Sequence, residues 1–195
     1  MIYEENKILV NDFNYFFCNT SPGFEKLEVY LNGEKLVEFE TNFEEITSFI
    51  KYFSRGKYFL FVLLNKTTGL KILRPLIDRN QHEEIKKIIK IQKILYKNGV
   101  SFDCEDTVLE IPIRDTASNT QRIFMGYITN TDINFECPKQ KYDLIDMHSI
   151  LTNIFEENHI TRCQLRYELR KPKNYILTNE NKYNFIDIDP RFYFT

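Results

Sequence analysis

The sequence has no tryptophan and only six glycines and six prolines among its 195 residues, so few residues mark the boundaries between elements. It has no internal repeat and no low-complexity linker. The four cysteines lie far apart, at Cys18, Cys104, Cys137 and Cys163. None forms a Cys-x-x-Cys pair or lies at metal-ligand spacing from a histidine. We therefore expect them to be buried, reduced thiols.

Long apolar runs and a strong excess of one charge are also missing. The N-terminus has no basic start followed by an uninterrupted apolar core, and no segment approaches the ~20 apolar residues of a membrane-spanning helix. The formal net charge of −2 provides no global field that would attract nucleic acid or anionic lipid. We expect a cytoplasmic protein with no membrane span that does not bind nucleic acid.

The composition is that of a globular chain with a single core. Hydrophobic residues make up 43% of the sequence and charged residues 28%, which excludes a disordered or fibrous class. Residues 25–40 alternate between apolar and polar on either side of Asn32-Gly33, which is a strong signal for a β-hairpin. We interpret residues 1–41 as a β-rich N-terminal extension and residues 42–195 as the main domain.

Apolar patterns in the main domain predict strands and helices in turn. The predicted elements are a strand pair within 58–73, a helix over 82–97 that ends at Asn98-Gly99, a strand pair formed by 107–113 and 122–128, a helix over 142–157, and a terminal hairpin formed by NYIL and YNFIDI. This order of strands and helices predicts an α+β fold.

The helix predicted over 82–97 carries a carboxylate on its apolar side. At 100° per residue, one broad arc contains the apolar residues Ile85, Ile88, Ile89, Ile91 and Leu95, and the other arc contains the lysines. Glu84 falls inside the apolar arc, whereas Glu83 points outward with the lysines. A buried carboxylate needs a partner, so we expect Glu84 to face a cation in the body of the protein.

The terminal segment, LRKPKNYILTNENKYNFIDIDPRFYF, resembles the catalytic loop and metal loop of the protein-kinase superfamily. Lys171, Pro172 and Asn174 match the Lys-Pro-x-Asn loop, and Asp187 follows Asn174 by thirteen residues, as the Asp of D-F-G does in that family. The resemblance implies that Asn174 and Asp187 hold the Mg²⁺ ions that bridge the phosphates of ATP. Asp189 is a further candidate ligand.

The ending Asp187-Ile188-Asp189 is more similar to lipopolysaccharide-core and Kdo kinases, and to small PhoP-regulated bacterial kinase-like proteins, than to eukaryotic Ser/Thr kinases. The resemblance covers roughly residues 44–195. It implies a minimal protein-kinase-like fold with an N-lobe over about 42–128 and a truncated C-lobe over about 129–195. It also implies nucleotide-contacting roles for Lys71, for Glu84 as its ion-pair partner, for Gly56 in the glycine-rich loop, for the backbone from Met125 to Tyr127 at the adenine edge, and for Lys171.

One position departs from the family. The residue five before Asn174, where the family has the Asp that accepts the proton of the substrate hydroxyl, is Leu169. Leucine cannot accept a proton, which leaves Glu168 and Asp189 as the nearby candidates for a base.

Three functions remain open. The first is an ATP- and Mg²⁺-dependent phosphotransferase acting on a sugar, glycolipid or protein hydroxyl. The second is a catalytically impaired pseudokinase that serves as a nucleotide-binding or protein-interaction module, with residues 1–41 contacting a protein partner. The third is an α+β interaction protein unrelated to kinases, whose C-terminal segment matches by chance.

Overall fold

The structure is a computed structural model that describes residues 8–11, 25–31, 34–41, 53–55, 58–64, 67–73, 80–115, 120–132, 144–162, 164–178, 180 and 182–195. The strands in these ranges are β1 (Ile8–Asn11), β2 (Glu25–Leu31), β3 (Glu34–Thr41), β4 (Phe53–Arg55), β5 (Phe59–Leu63), β6 (Thr68–Leu73), β7 (Leu109–Asp115), β8 (Thr120–Asn130), β9 (Ile160–Arg162), β10 (Tyr175–Leu177), β11 (Tyr183–Phe185) and β12 (Phe192–Phe194). The helices are α1 (Gln81–Lys97), α2 (Ile145–Glu157), α3 (Leu165–Glu168) and a 3₁₀ turn at Pro172–Asn174.

Eight strands form one sheet, in the order β3-β2-β1-β7-β8-β6-β5-β4. The pairs are antiparallel except for β1 and β7, which run parallel. The predicted α+β class is confirmed, and so is the hairpin around Asn32-Gly33, which appears as β2 and β3 with Leu31 opposite Glu34. The strands of residues 1–41 join the sheet of the main domain through β1, and the domain boundary near residue 41 stays a prediction.

Helix α1 confirms the clearest prediction of the sequence. Asn80 caps its N-terminus by accepting a hydrogen bond from the Glu83 N–H, and Asn98 ends it by donating from its side chain to the Ile94 carbonyl at 2.9 Å. Gly99 then adopts a φ of 71°, a conformation that glycine reaches without steric cost. The isoleucines of the apolar arc are buried, which places this face of α1 in the core.

The remaining strands form two small sheets, β10 with β11 and β9 with β12. Four buried aromatic rings pack between these sheets and α2, with centroid separations of 5.3–6.4 Å: Phe155, Tyr175, Phe185 and Phe192. The Phe185 N–H donates to the Val100 carbonyl at 2.8 Å, and the Ser101 hydroxyl donates to the Phe185 carbonyl at 2.9 Å. These bonds fix the terminal hairpin against the chain that leaves α1.

The other sequence predictions agree with the structure in outline. The strand pairs appear as β5–β6 and β7–β8, and α2 begins at Ile145. Cys104 is a buried free thiol, while Cys18, Cys137 and Cys163 lie outside the described residues. None of the described helices is long and apolar enough to cross a membrane.

Candidate functional site

The hairpin of β10 and β11 brings Asn174 and Asp187 together. Pro172 opens the 3₁₀ turn that leads into Asn174, where its fixed φ suits the first position. The Ile186 N–H then donates to the Asn174 carbonyl at 2.9 Å. Asn174 and Asp187, thirteen residues apart in sequence, therefore lie side by side at the open end of one hairpin.

Lys71 reaches this hairpin end from the large sheet. Its ammonium group donates to the carbonyl of Ile186 at 3.0 Å, across 115 residues of sequence. Burial lowers the pKa of Lys71 to about 8, while the negative charge of Asp187 acts in the opposite direction. A lysine with a perturbed pKa thus contacts the residue that precedes Asp187, and such perturbation is common at functional sites.

The lowered pKa of Lys71 predicts a dependence of stability on pH. Between pH 8 and 10.5 the folded chain loses the Lys71 proton and the unfolded chain keeps it, so the free energy of unfolding should rise with pH in this window. Denaturant unfolding gives the free energy of unfolding of the wild type and of Lys71→Met at each pH. The wild-type value minus the variant value should rise from pH 8 to 10.5 and stay constant below pH 8. A constant difference across the whole range would contradict the lowered pKa.

The orientation of the Asn174 amide is fixed by Glu168. The amide nitrogen donates to the main-chain carbonyl of Glu168 at 3.0 Å and to its carboxylate at 3.3 Å. Both partners are acceptors, so the nitrogen has to face them and the side-chain oxygen has to point away. Asn174 therefore has its amide oxygen directed away from Glu168 and available as a ligand.

The Glu168 carboxylate also accepts a hydrogen bond from Lys171 at 2.8 Å. Burial alone would raise the pKa of Glu168, but Lys171, Arg162 and Asn174 together hold it below its ordinary value. Glu168 is therefore ionised at neutral pH and lies in contact with two of the predicted site residues.

Arg162, on β9, is a site residue that sequence reasoning missed. Its side chain is fully buried, and its guanidinium lies 3.4 Å from Asp187, 3.7 Å from Glu168 and 2.9 Å from Asp189. One buried cation thus neutralises three carboxylates that come from two separate segments. No local pattern marked it, because β9 consists of only Ile160, Thr161 and Arg162.

The carboxylate of Asp189 is buried and hydrogen-bonded within the chain. Its two oxygens accept hydrogen bonds from Arg162 and from the main chain and side chain of Arg191, and only 2% of its surface is exposed. Burial raises the pKa of Asp189 to about 7, against the effect of Arg162. Because both oxygens are occupied, the geometry argues against the predicted metal-binding and proton-accepting roles of Asp189.

Among the described residues, Lys71 and Glu84 do not form the expected ion pair with each other. Glu84 points inward, with 18% of its side chain exposed, but its carboxylate accepts a hydrogen bond from Lys87 at 2.6 Å. Lys87 also donates to the Pro190 carbonyl at 3.1 Å. Lys87 lies one helical turn from Glu84 and takes the place expected for Lys71. It contacts both Glu84 and Pro190, and so connects α1 to the segment after Asp189.

The backbone predicted to contact adenine, from Met125 to Tyr127, lies in strand β8. Met125 pairs only with β7 and Tyr127 only with β6, while Gly126 between them pairs with both. The Met125 N–H donates to the Gln81 side chain at 3.3 Å, and the Tyr127 hydroxyl donates to Gln92 at 2.8 Å inside the core. The adenine contact stays a prediction. Gly56 lies outside the described residues.

The residues at the hairpin end suit Mg²⁺. This ion prefers hard oxygen ligands and is held by one or two protein groups together with water and substrate phosphates. The amide oxygen of Asn174 and the carboxylate of Asp187, whose side chain is 36% exposed, are such groups. In the described ranges no cluster of three His, Cys, Asp or Glu side chains could form a metal site without other ligands.

A cavity of about 1060 Å³ lies elsewhere in the described part of the chain, bounded by the end of α2, by β9 and by α3. His159 and Gln164, which line it, both have positive φ values, of 54° and 60°. None of Lys71, Asn174 and Asp187 lines this cavity, so cavity size does not identify the candidate site.

No protein-family model matches the chain, and no curated protein matches it significantly. Among solved structures, the chain is similar to the Lpg2603 kinase of Legionella pneumophila bound to IP6, at 18% sequence identity and a TM-score of 0.44. The similarity covers 87% of this chain and 58% of the kinase chain. The chain therefore spans less than two thirds of the length of that kinase, and its function has to be argued from its own contacts.

Proposed function

We propose that the chain is a kinase-like phosphotransferase that uses ATP and Mg²⁺ to phosphorylate a hydroxyl group of a sugar, a glycolipid or a protein. The observation that carries the proposal is the hydrogen bond from Lys71 to the Ile186 carbonyl. It joins a half-buried lysine of the large sheet to the hairpin end that carries Asn174 and Asp187. These are the three residue types that phosphoryl transfer in protein kinases requires.

Each residue has a role that follows from its chemistry. Among the strands that the structure describes after residue 42, Lys71 lies on the third, and the phosphate-binding lysine of protein kinases is likewise on a third strand. Its ammonium would bind the phosphates of the nucleotide. Asn174 and Asp187 would hold Mg²⁺, which when bound neutralises the charge on those phosphates.

Glu168 is our candidate for the group that accepts the proton of the acceptor hydroxyl. It is ionised and contacts both Lys171 and Asn174. Its side chain is only 7% exposed, and its Oε1 atom accepts from Lys171. A phosphate that draws Lys171 away would release this oxygen from its hydrogen bond, so that nucleotide binding and freeing of the base are coupled.

One observation favours the pseudokinase alternative. Leu169, at the family position of the catalytic Asp, is 1% exposed and packs in the hydrophobic core. The main chain at this position therefore points its side chain away from the candidate site. If Glu168 does not replace the missing Asp, the chain would bind nucleotide without transferring phosphate.

Two measurements on the wild type separate these functions. Thermal unfolding should shift upward with ATP and Mg²⁺ together, by more than with either alone, because ligands that bind only the folded state stabilise it. Absence of any such shift would contradict both the phosphotransferase and the nucleotide-binding pseudokinase. A shift accompanied by transfer of the labelled γ-phosphate supports the enzyme, and a shift without transfer to water, protein or sugar acceptors supports the pseudokinase.

A further inference from the structure

A second cavity, of about 330 Å³, lies between α2 and the segment from Leu165 to Arg170. It is lined by His148, Ser149, Thr152, Asn153, Arg166, Leu169 and Arg170. The set contains two guanidinium groups, one imidazole and several hydroxyl or amide groups, and it contains no carboxylate. Its volume is at the lower end of the range for small-molecule sites.

The lining residues come from α2 and from the facing segment of α3 and the turn that follows it. On α2, Ser149 and Asn153 are four residues apart and therefore share one side of the helix. Across the cavity, Arg166 and Arg170 are also four residues apart, and both are exposed. The side chains of these arginines form no hydrogen bond or ion pair with any other described side chain or carbonyl. In this they differ from Arg162 and Arg191, which are paired with acids.

His148 adds a second, independent observation. Its Nε2 atom is buried and has no partner at hydrogen-bond geometry among the described residues, although the main chain of Leu169 interacts with the ring and favours its charged form. Its ring lies 6.2 Å from that of Tyr175, which holds the imidazole against the core. Buried polar atoms are rarely left unsatisfied, and the same residue lines the cavity. An unsatisfied ring nitrogen beside two unpaired arginines indicates a ligand that accepts several hydrogen bonds.

We propose that this cavity binds the phosphate group of a small molecule, at a site separate from the one that contains Lys71 and Asp187. Phosphate offers several acceptor oxygens and negative charge, and the planar fork of arginine donates to it in pairs. The polar groups of α2 complete the set of donors, and His148 Nε2 joins them in the tautomer that carries its proton on this nitrogen. Neither cavity residues nor contacts are shared with Lys71, Asn174 or Asp187, so the proposal does not depend on the proposed function.

The test measures binding of inorganic phosphate and of glycerol phosphate by calorimetry, with the full chain. Arg166→Gln combined with Arg170→Gln should weaken binding of both ligands at least about tenfold, the size expected when charged hydrogen bonds are lost. Lys97→Gln, which also removes a charge from an exposed helical position, should leave binding unchanged. Lys71→Met should leave it unchanged as well.

Three outcomes would overturn the proposal: wild type that binds neither ligand, unchanged binding in the double variant, or loss of binding in Lys71→Met, which would place the anion in the nucleotide site. Because both arginines are exposed, the wild type and the double variant are expected to unfold at the same midpoint without phosphate, which would exclude misfolding of the variant.

Tighter binding of glycerol phosphate than of inorganic phosphate would identify an organic phosphomonoester as the ligand, and equal binding would identify the phosphate group alone. Either result supports the site.

Discussion

Replacing Asp187 with alanine is expected to abolish the Mg²⁺-dependent stabilisation of the chain by ATP. Asp187 is the one carboxylate at the hairpin end with substantial exposure, and it lies beside Asn174 and Lys71. Substitution of groups that only orient metal ligands costs 10–100-fold in affinity, so loss of a direct ligand should cost at least about 100-fold. Thermal unfolding with a series of Mg²⁺ concentrations at fixed ATP measures the effect.

The matched control is Asp106→Ala, which removes a carboxylate whose side chain is 84% exposed and should leave the ATP-dependent shift intact. Asp187→Asn provides a second comparison, since it keeps the shape of the side chain and an oxygen for Arg162 to contact. It should bind ATP more weakly than the wild type while unfolding at a similar temperature without ligand. An Asp187→Ala variant that retains the full Mg²⁺-dependent shift would show that Asp187 does not hold the metal.

The placement of Asn174 and Asp187 could be predicted from a local pattern, because the length of one hairpin sets their spacing. Lys71 was predicted from the resemblance of its strand, since 115 residues separate it from Ile186 in the sequence. The structure brings the three residues together, and their roles stay predictions.

Arg162 could not be found this way, because two of its three acidic partners are 25 and 27 residues away in the sequence. The Lys71–Glu84 pair shows a related limit. Helical periodicity correctly predicted that Glu84 faces the body of the protein, but it does not identify the cation that contacts it. Lys87, which was assigned to the solvent arc, donates a hydrogen bond to the Glu84 carboxylate. A long side chain can reach across the boundary between the two arcs.

The adenine contact shows what a strand pattern leaves open. The pattern of residues 122–128 identifies a strand but not its neighbours in the sheet, where β8 lies between β6 and β7. Which backbone groups at Met125 to Tyr127 stay unpaired therefore could not be read from the sequence. Strand order depends on tertiary packing, which alternation of apolar residues does not encode.

The carboxylate of Glu168 is expected to be needed for phosphate transfer but not for nucleotide binding. Glu168→Gln keeps the size of the side chain and an oxygen that can accept from Asn174, while it removes the charge that accepts a proton. Transfer of the γ-phosphate should fall by about 10²–10⁴-fold, the contribution of a general base, with the ATP- and Mg²⁺-dependent thermal shift retained.

Glu156→Gln, an exposed position on α2, is the matched control and should transfer at the rate of the wild type. Equal rates for Glu168→Gln and wild type would mean that positioning and charge neutralisation suffice without this base. Loss of the thermal shift together with transfer would instead make Glu168 a group that orients Asn174 and Lys171 for nucleotide binding. The split between binding and transfer therefore decides whether a glutamate next to Leu169 replaces the missing aspartate, since a purely structural role would move both measurements together.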